Sequence, residues 1–173
     1  MKLAFTIAPG RGETNLLLAQ IADHLATQGA KVVGTVQIDT DRDDGHKCDM
    51  DVKVLPEGRI IRISQDLGRA SRGCRLDMDA LETAVADIEV ALDQGADLLL
   101  VNKFGKHEAE GRGFRAVIAE ALGRDIPVLV GVNKLNRDAF ISFCDGLAEE
   151  LPADNAAIEA WLSSTLKLDA SVG

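Results

Sequence analysis

The chain has 173 residues, of which 46% are hydrophobic and only 3% aromatic, and its formal net charge at pH 7 is −9. This length and apolar content suit a single domain with an aliphatic core. The acidic balance and the scarcity of aromatic side chains argue against a surface for nucleic acid, which needs clustered cations or stacking platforms. We therefore expect no nucleic-acid partner.

Nothing in the sequence indicates a secreted or membrane protein. The segment Met1–Ala8 lacks the longer apolar region and the cleavage site of a signal peptide. No apolar run approaches the roughly 20 residues that span a bilayer. Three cysteines without the spacing of a disulfide framework indicate reduced thiols. We expect a soluble, cytoplasmic protein of one domain, residues 1–173, without membrane insertion.

The first part of the chain predicts a strand–helix–strand unit. Residues 2–8, KLAFTIA, have the composition of a strand, and residues 9–13, PGRGE, that of a turn. From Thr14 onward, apolar residues recur at helical spacing until Gly29 ends the run. Residues 31–38, KVVGTVQI, predict a second strand, and a crossover of this kind implies parallel strands.

Residues 39–78 predict an insertion. Residues 39–47 are acidic and indicate a loop. Two short strands, 49–55 and 59–64, are joined by Pro-Glu-Gly, which is typical of a β-hairpin turn. Residues 64–77 lack periodicity and are rich in Gly, Ser and Arg, as in a long irregular or functional loop.

The second half of the chain predicts further helices and buried strands in alternation. In three of the four helices predicted here, the helical spacing of apolar residues ends at a glycine or a proline. We expect an α/β three-layer sandwich with a mostly parallel sheet, a small β-hairpin insertion, and C-terminal helices within residues 138–173. The predicted elements are helices at 79–92, 113–122, 138–151 and 155–166 and strands at 98–101 and 127–132.

A charged, glycine-rich stretch follows the apolar run Leu98–Val101 and is one candidate site. A run this short, bounded by polar residues, predicts a strand buried on both faces. In open α/β sheets, ligands bind beyond the carboxyl ends of the strands. The other interpretation is a solvated loop that only caps the strand. Candidate anion-binding residues here are Asn102, Lys103, Lys106 and Arg112, and candidate catalytic residues are Lys103, His107 and Glu108.

A second candidate site is a degenerate phosphate-binding loop at Ile7–Thr14. Gly12 and Thr14 fit the Walker A pattern G-x-x-x-x-G-K-[ST], but Ile7 replaces its first glycine and Glu13 its lysine. A carboxylate at that position repels phosphate. The candidate binding residues are Pro9, Gly10, Arg11, Gly12, Glu13 and Thr14.

The stretches APGRGET, ISQDLG and DLLLVNKFGKHEAEGRGF resemble a bacterial domain family of unassigned function. That family is grouped with the P-loop NTPases and is often encoded beside molybdate-transport genes. Residues 3–132 are also distantly similar to the cancer-related nucleoside triphosphatase family. These resemblances imply a P-loop-NTPase-like fold and a link to molybdate or molybdenum-cofactor metabolism.

The distant resemblance also implies that the residues of NTP hydrolysis have been replaced. It puts Asn102 at the magnesium-binding aspartate and Lys103 at the water-activating glutamate, while Glu13 replaces the phosphate-binding lysine. If the first and central strands lie side by side, Glu13 can pair with Lys103, which gives a charge-swapped site. Asp66 or Glu108 could then supply the missing metal-binding carboxylate.

Two further sets of residues are candidate ligand sites. Gln65 and three arginines could close over an anion, because guanidinium groups match oxyanions; alternatively they form a solvated loop paired with neighbouring aspartates. The soft-metal set lacks paired zinc-ligand spacing, so we expect no metal site there. The first set is Gln65, Arg69, Arg72 and Arg75, and the second is His46, Cys48 and Cys74.

Three functions remain open on sequence grounds. The first is a non-hydrolysing or weakly hydrolysing protein that binds molybdate, tungstate or a nucleotide with magnesium. The second is an atypical nucleoside triphosphatase, and the third is a regulatory or interaction protein whose pocket has decayed. The partners expected are a small anionic ligand, a second copy of the chain, or a protein of molybdenum metabolism.

Overall fold

The computed structural model describes residues 1–10, 12–43, 48–65 and 76–166. No helix in these ranges is long and apolar enough to cross a membrane. Strands and helices alternate along most of the chain, as the sequence predicts. The elements are β1 (Leu3–Thr6), α1 (Glu13–Thr27), β2 (Val32–Thr40), β3 (Asp49–Leu55), β4 (Ile60–Arg62), α2 (Met78–Asp93), β5 (Leu98–Phe104), α3 (Lys106–Ala109), α4 (Arg115–Gly123), β6 (Val128–Val132), α5 (Arg137–Phe143), β7 (Glu149–Leu151) and α6 (Asn155–Thr165).

These strands form one sheet in the order β4-β3-β2-β5-β6-β1-β7. Five of them are parallel, namely β2, β5, β6, β1 and β7. Their carboxyl ends lie along one side of the sheet, here called the carboxyl edge. Strands β3 and β4 are antiparallel. β3 pairs with β2 from Gly34–Leu55 to Thr40–Asp49, so the predicted hairpin extends the main sheet.

Helices cover both faces of the sheet. Leu98 and Leu100 of β5 belong to a core with residues of α1 and α6, including Trp161. Leu99 and Val101 belong to a second core with residues of α2, α4 and α5. Since successive strand residues point to opposite faces, the continuous apolar run of β5 is buried on both sides. The predicted three-layer α/β sandwich is confirmed.

The helix predicted over residues 138–151 was wrong in its second half. Helix α5 ends at Phe143. Asp145 and Gly146 both have positive φ, 52° and 69°, and an α-helix cannot continue through residues with positive φ. The chain then turns back, and Glu149–Leu151 forms β7 beside β1. Three residues are too few to show strand periodicity, so the sequence pattern alone favoured a longer helix.

Candidate functional site

The loop between β1 and α1 keeps two features of a phosphate-binding loop. Gly12 precedes α1 in the left-handed conformation, with φ 76° and ψ −6°. The hydroxyl of Thr14 accepts a hydrogen bond of 3.2 Å from the backbone N–H of Ala8, which ties the helix start to the end of β1. The amino end of the 15-residue α1 is therefore directed at the carboxyl edge, where its unpaired N–H groups favour an anion.

The carboxylate of Glu13 already interacts with this loop. Glu13 Oε2 accepts a hydrogen bond of 3.0 Å from the backbone N–H of Gly10, and the contact is exposed to solvent. A Cβ atom at Gly10 would lie 2.3 Å from Glu13 Oε1, so only glycine allows the carboxylate to lie this close. The protein's own carboxylate thus lies where an external anion would meet this N–H.

The expected ion pair between Glu13 and Lys103 is not formed, and the reason is topological. Strands β1 and β5 are not neighbours, because β6 lies between them. Lys103 is exposed and makes no ion pair among the described residues. Its side chain lies over Gly105, where a Cβ atom would be 3.4 Å from Lys103 Cε. The expectation that the two strand ends lie side by side was wrong.

Gly131 in β6 nevertheless brings the two candidate stretches together. A Cβ atom at Gly131 would lie 2.2 Å from the backbone oxygen of Asn102 and 2.8 Å from Thr14 Cγ2. Because glycine has no side chain there, α1 can approach the sheet directly above β6. The side chain of Thr14 and the backbone of Asn102 consequently both lie against this glycine.

Asn102 belongs to a closed ring of hydrogen bonds at the carboxyl edge. Its Oδ1 accepts from the backbone N–H of Gln37 over 3.0 Å, and its Nδ2 donates to Asn15 Oδ1 over 2.7 Å. Asn15 Nδ2 donates to one oxygen of Asp39 over 3.1 Å, and Gln37 Nε2 donates to the other over 2.9 Å. We call these residues, Asn15, Gln37, Asp39 and Asn102, the amide ring.

Sequence reasoning missed three members of the amide ring. Asn15 directly follows the candidate Thr14, and Gln37 and Asp39 stand at the carboxyl end of β2. The available signal was that β2 is parallel to the central strand and so ends at the same edge. The sequence predicts an acidic loop from residue 39, whereas Asp39 lies within β2.

The magnesium ion that a P-loop fold implies does not fit these residues. Magnesium prefers hard oxygen ligands such as carboxylates. Both oxygens of Asp39 accept hydrogen bonds from side-chain amides, and Asn102 directs an N–H group into the ring. Of the proposed substitutes, Glu108 turns its carboxylate to the backbone N–H of Gly105, and Asp66 lies outside the described residues.

The stretch after β5 forms a second polar cluster around Glu82 of α2. Glu82 Oε1 accepts hydrogen bonds from His107 Nε2 over 2.8 Å and from the N–H of Gly113 over 2.9 Å. The ring of His107 is buried, and its Nδ1 has no partner among the described residues. Glu82 is therefore the orienting partner that the sequence did not reveal for His107.

Glu108 is buried beside His107. Burial raises the pKa of the Glu108 carboxyl above its ordinary value, although backbone hydrogen bonds from Gly105, Glu108 and Phe114 and the nearby His107 act in the opposite direction. A Cβ atom at Gly113 would lie 2.4 Å from a Glu108 carboxylate oxygen, so the loop closes tightly over this side chain. The contacts make Glu108 a structural group of this loop.

The remaining predicted site residues are less closely connected to the β1–α1 loop. Lys106 and Arg112 both pair with Glu110, over 3.9 and 2.9 Å. Gln65 donates to the backbone oxygen of Leu76 over 3.1 Å. In the described part of the chain no cluster of three or more His, Cys, Asp or Glu residues could hold a metal, and Cys48 is half-buried. Candidates outside the described residues are Arg11, His46, Arg69, Arg72, Cys74 and Arg75.

Comparison with known proteins identifies the family. A model described as "Protein of unknown function (DUF2478)" matches residues 3–161, so the chain belongs to this family. The resemblance to a bacterial family of unassigned function agrees with this match.

Two named proteins are also similar. The molybdenum import ATP-binding protein ModC 2 of Bradyrhizobium diazoefficiens is 37% identical over 153 residues; these cover 88% of this chain but only 17% of that protein. The solution structure of a human cancer-related nucleoside triphosphatase matches with a TM-score of 0.61 at 18% identity, over 95% of each chain. This likeness shows the fold, and the P-loop-NTPase-like architecture is confirmed.

Proposed function

We propose that this protein binds an oxyanion, either free or as the phosphate groups of a nucleotide, at the β1–α1 loop, and that it hydrolyses nucleotides weakly or not at all. The single observation that carries the proposal is the bond between the Glu13 carboxylate and the N–H of Gly10. A carboxylate at the amino end of a helix occupies the same electrostatic position as a bound anion. Its exposure allows an external anion to displace it.

Weak or absent hydrolysis follows from the residues around the loop. Phosphoryl transfer needs a metal ion and positive charge beside the transferred group. Asn102 brings no negative charge for a metal, and Glu13 adds a negative charge where the Walker A pattern has a lysine. Lys103 is exposed and directly follows Asn102, whose side chain bonds to Asn15 of α1, so in this proposal Lys103 supplies positive charge to the bound anion.

Molybdate or tungstate are the free oxyanions that we favour. Support comes from the similarity to the molybdenum import ATP-binding protein, although only a small part of that protein is matched. ATP and GTP are the nucleotides to compare, since the fold is that of a nucleoside triphosphatase. A cytoplasmic location suits any of these ligands and remains part of the proposal.

A thermal-shift panel tests the proposal. It contains molybdate, tungstate, sulfate, phosphate, ATP and GTP, each with and without magnesium, because a ligand that binds only the folded state raises Tm. We expect stabilisation by molybdate or tungstate or by a nucleotide, and a larger shift in Glu13→Gln, which has no carboxylate to displace. Glu159→Gln on α6 is the matched control.

Two outcomes would contradict the proposal. Magnesium-dependent phosphate release at the rate of an ordinary enzyme, about 1 per second or faster, would identify an atypical nucleoside triphosphatase. Silence across the panel in both the wild type and Glu13→Gln would favour a regulatory protein with a decayed pocket. Lys103→Met provides a further check, because it should weaken anion binding without a comparable loss of stability.

A further inference from the structure

We infer that Asn102 is a specificity-determining residue that excludes divalent cations from the carboxyl edge, because its side-chain N–H takes the place that an acidic residue would give to a metal. The inference deepens the proposed function by specifying that anion binding is independent of magnesium. Its geometric basis is the amide ring, which shares no residue with the contact between Glu13 and Gly10.

The orientation of both asparagine side chains in the ring is set by their neighbours. The backbone N–H of Gln37 can only donate, so Asn102 must present its oxygen there and its nitrogen to Asn15. An ionised Asp39 can only accept, so Asn15 must present its nitrogen to Asp39 and its oxygen to Asn102. The two requirements agree, and every bond in the ring joins a donor to an acceptor.

This order leaves the ring without a place for a cation. Two side-chain N–H groups lie along the path from Asn102 to Asp39, and a metal would have to displace both. Only Asp39 is negatively charged, and its two oxygens are already bonded to the amides of Asn15 and Gln37. Since Asn102 and Gln37 are buried, loss of these bonds would leave polar groups unsatisfied.

An aspartate at position 102 would reverse this preference. It would still accept from Gln37, but it has no hydrogen to donate to Asn15. Two carboxylates, at positions 39 and 102, would then flank one asparagine, and a divalent cation would neutralise their repulsion. The exchange of one oxygen for one nitrogen therefore decides whether the edge takes a metal.

The test uses Mn²⁺, whose electron paramagnetic resonance signal falls when the ion binds protein and which accepts the same oxygen ligands as magnesium. The wild type is compared with Asn102→Asp, with Asn102→Asp/Asp39→Asn, and with Asn136→Asp, which adds the same charge to the turn after β6. We expect Asn102→Asp to bind Mn²⁺ about tenfold or more tightly than the others, the range of a lost metal-site interaction.

Two results would overturn the inference: Mn²⁺ binding by the wild type as tight as by Asn102→Asp, or binding by Asn102→Asp that persists without Asp39. If Asn102→Asp does not fold, the decisive measurement is made on the wild type and Asp39→Asn, which must bind Mn²⁺ equally weakly. These titrations contain no anion. They therefore remain informative if the anion panel is silent, and the two proposals fail separately.

Discussion

Glu82 on α2 and His107 on α3 are joined by a hydrogen bond of 2.8 Å, and the same carboxylate oxygen of Glu82 accepts the backbone N–H of Gly113. One half-exposed carboxylate thus holds both the beginning and the end of the glycine-rich stretch after β5. The glycine-rich stretch is therefore tied to α2 through Glu82.

Glu82→Ala should lower the free energy of unfolding substantially. It removes the acceptor from the buried His107 ring and from the N–H of Gly113, and an unsatisfied buried group costs about 1–3 kcal/mol. Glu89→Ala, an exposed glutamate on the same helix, should change stability by less than about 0.5 kcal/mol. Urea unfolding followed by circular dichroism measures both; equal effects would show that Glu82 does not anchor the loop.

The folding stability of Glu108→Gln should increase relative to that of the wild type as pH rises. The pKa of the Glu108 carboxyl is raised above its ordinary value of 4.5, mainly by burial. Between the two pKa values the folded state retains a proton that the unfolded state has released. The contribution of this carboxyl to stability is therefore complete below pH 4.5 and is lost as pH rises through the raised pKa of the folded state.

Glutamine has no carboxyl group to ionise, so the stability of the variant does not decline for this reason as pH rises. Measurements of Tm across a pH series check the difference, with the exposed Glu89→Gln as the control whose difference from wild type should stay constant. A Tm of Glu108→Gln minus that of the wild type that stays constant, or that falls as pH rises, would contradict the expected sign.

Gly131→Ala should destabilise the protein by about 1–3 kcal/mol, the usual cost of overpacking. The new methyl group would meet the backbone oxygen of Asn102 and the side chain of Thr14, and neither can move without shifting α1 or β5. Gly123→Ala is the natural comparison, because a Cβ atom there has no neighbour within 4 Å. We expect Gly123→Ala to stabilise by about 0.4–1 kcal/mol in the same unfolding assay.

Glu13→Lys should increase affinity for phosphate and for ATP, because it puts a cation where the Walker A pattern has a lysine. The gain should decrease at high salt, since the site is exposed and exposed charges are screened. Glu159→Lys, with the same change of charge on α6, controls for the shift in net charge. Isothermal titration at two ionic strengths is the measurement, and equal affinities for the two variants would argue against binding at this loop.

The architecture could be predicted because its elements are long and periodic. The apolar run of β5 and the helical spacing of α1 and α2 each allow one interpretation. Three-residue β7 could not be predicted, because its pairing with β1 is a tertiary effect without a local pattern. The spacing of Gly12 and Thr14 predicts the candidate loop at residues 7–14, and binding at this loop stays a prediction.

The side-chain contacts of the site could not be predicted, because they depend on the order of the strands in the sheet. Nothing local to Glu13 or Lys103 indicates that β6 separates their strands, so the expected ion pair was wrong. The amide ring joins residues from α1, β2 and β5, which only the folded sheet brings together. Its members are uncharged except for Asp39, and so they carry none of the signals that mark charged sites.

Trp161 on α6 has a practical consequence for all of these experiments. It is the single tryptophan of a chain without tyrosine, and it lies in the core beneath α1. Its emission therefore reports on the α1 face alone, while circular dichroism reports on both helical layers. Coincidence of the two melting curves would show that the layers unfold as one cooperative unit, and an earlier fluorescence change would show that the layer carrying the β1–α1 loop opens first.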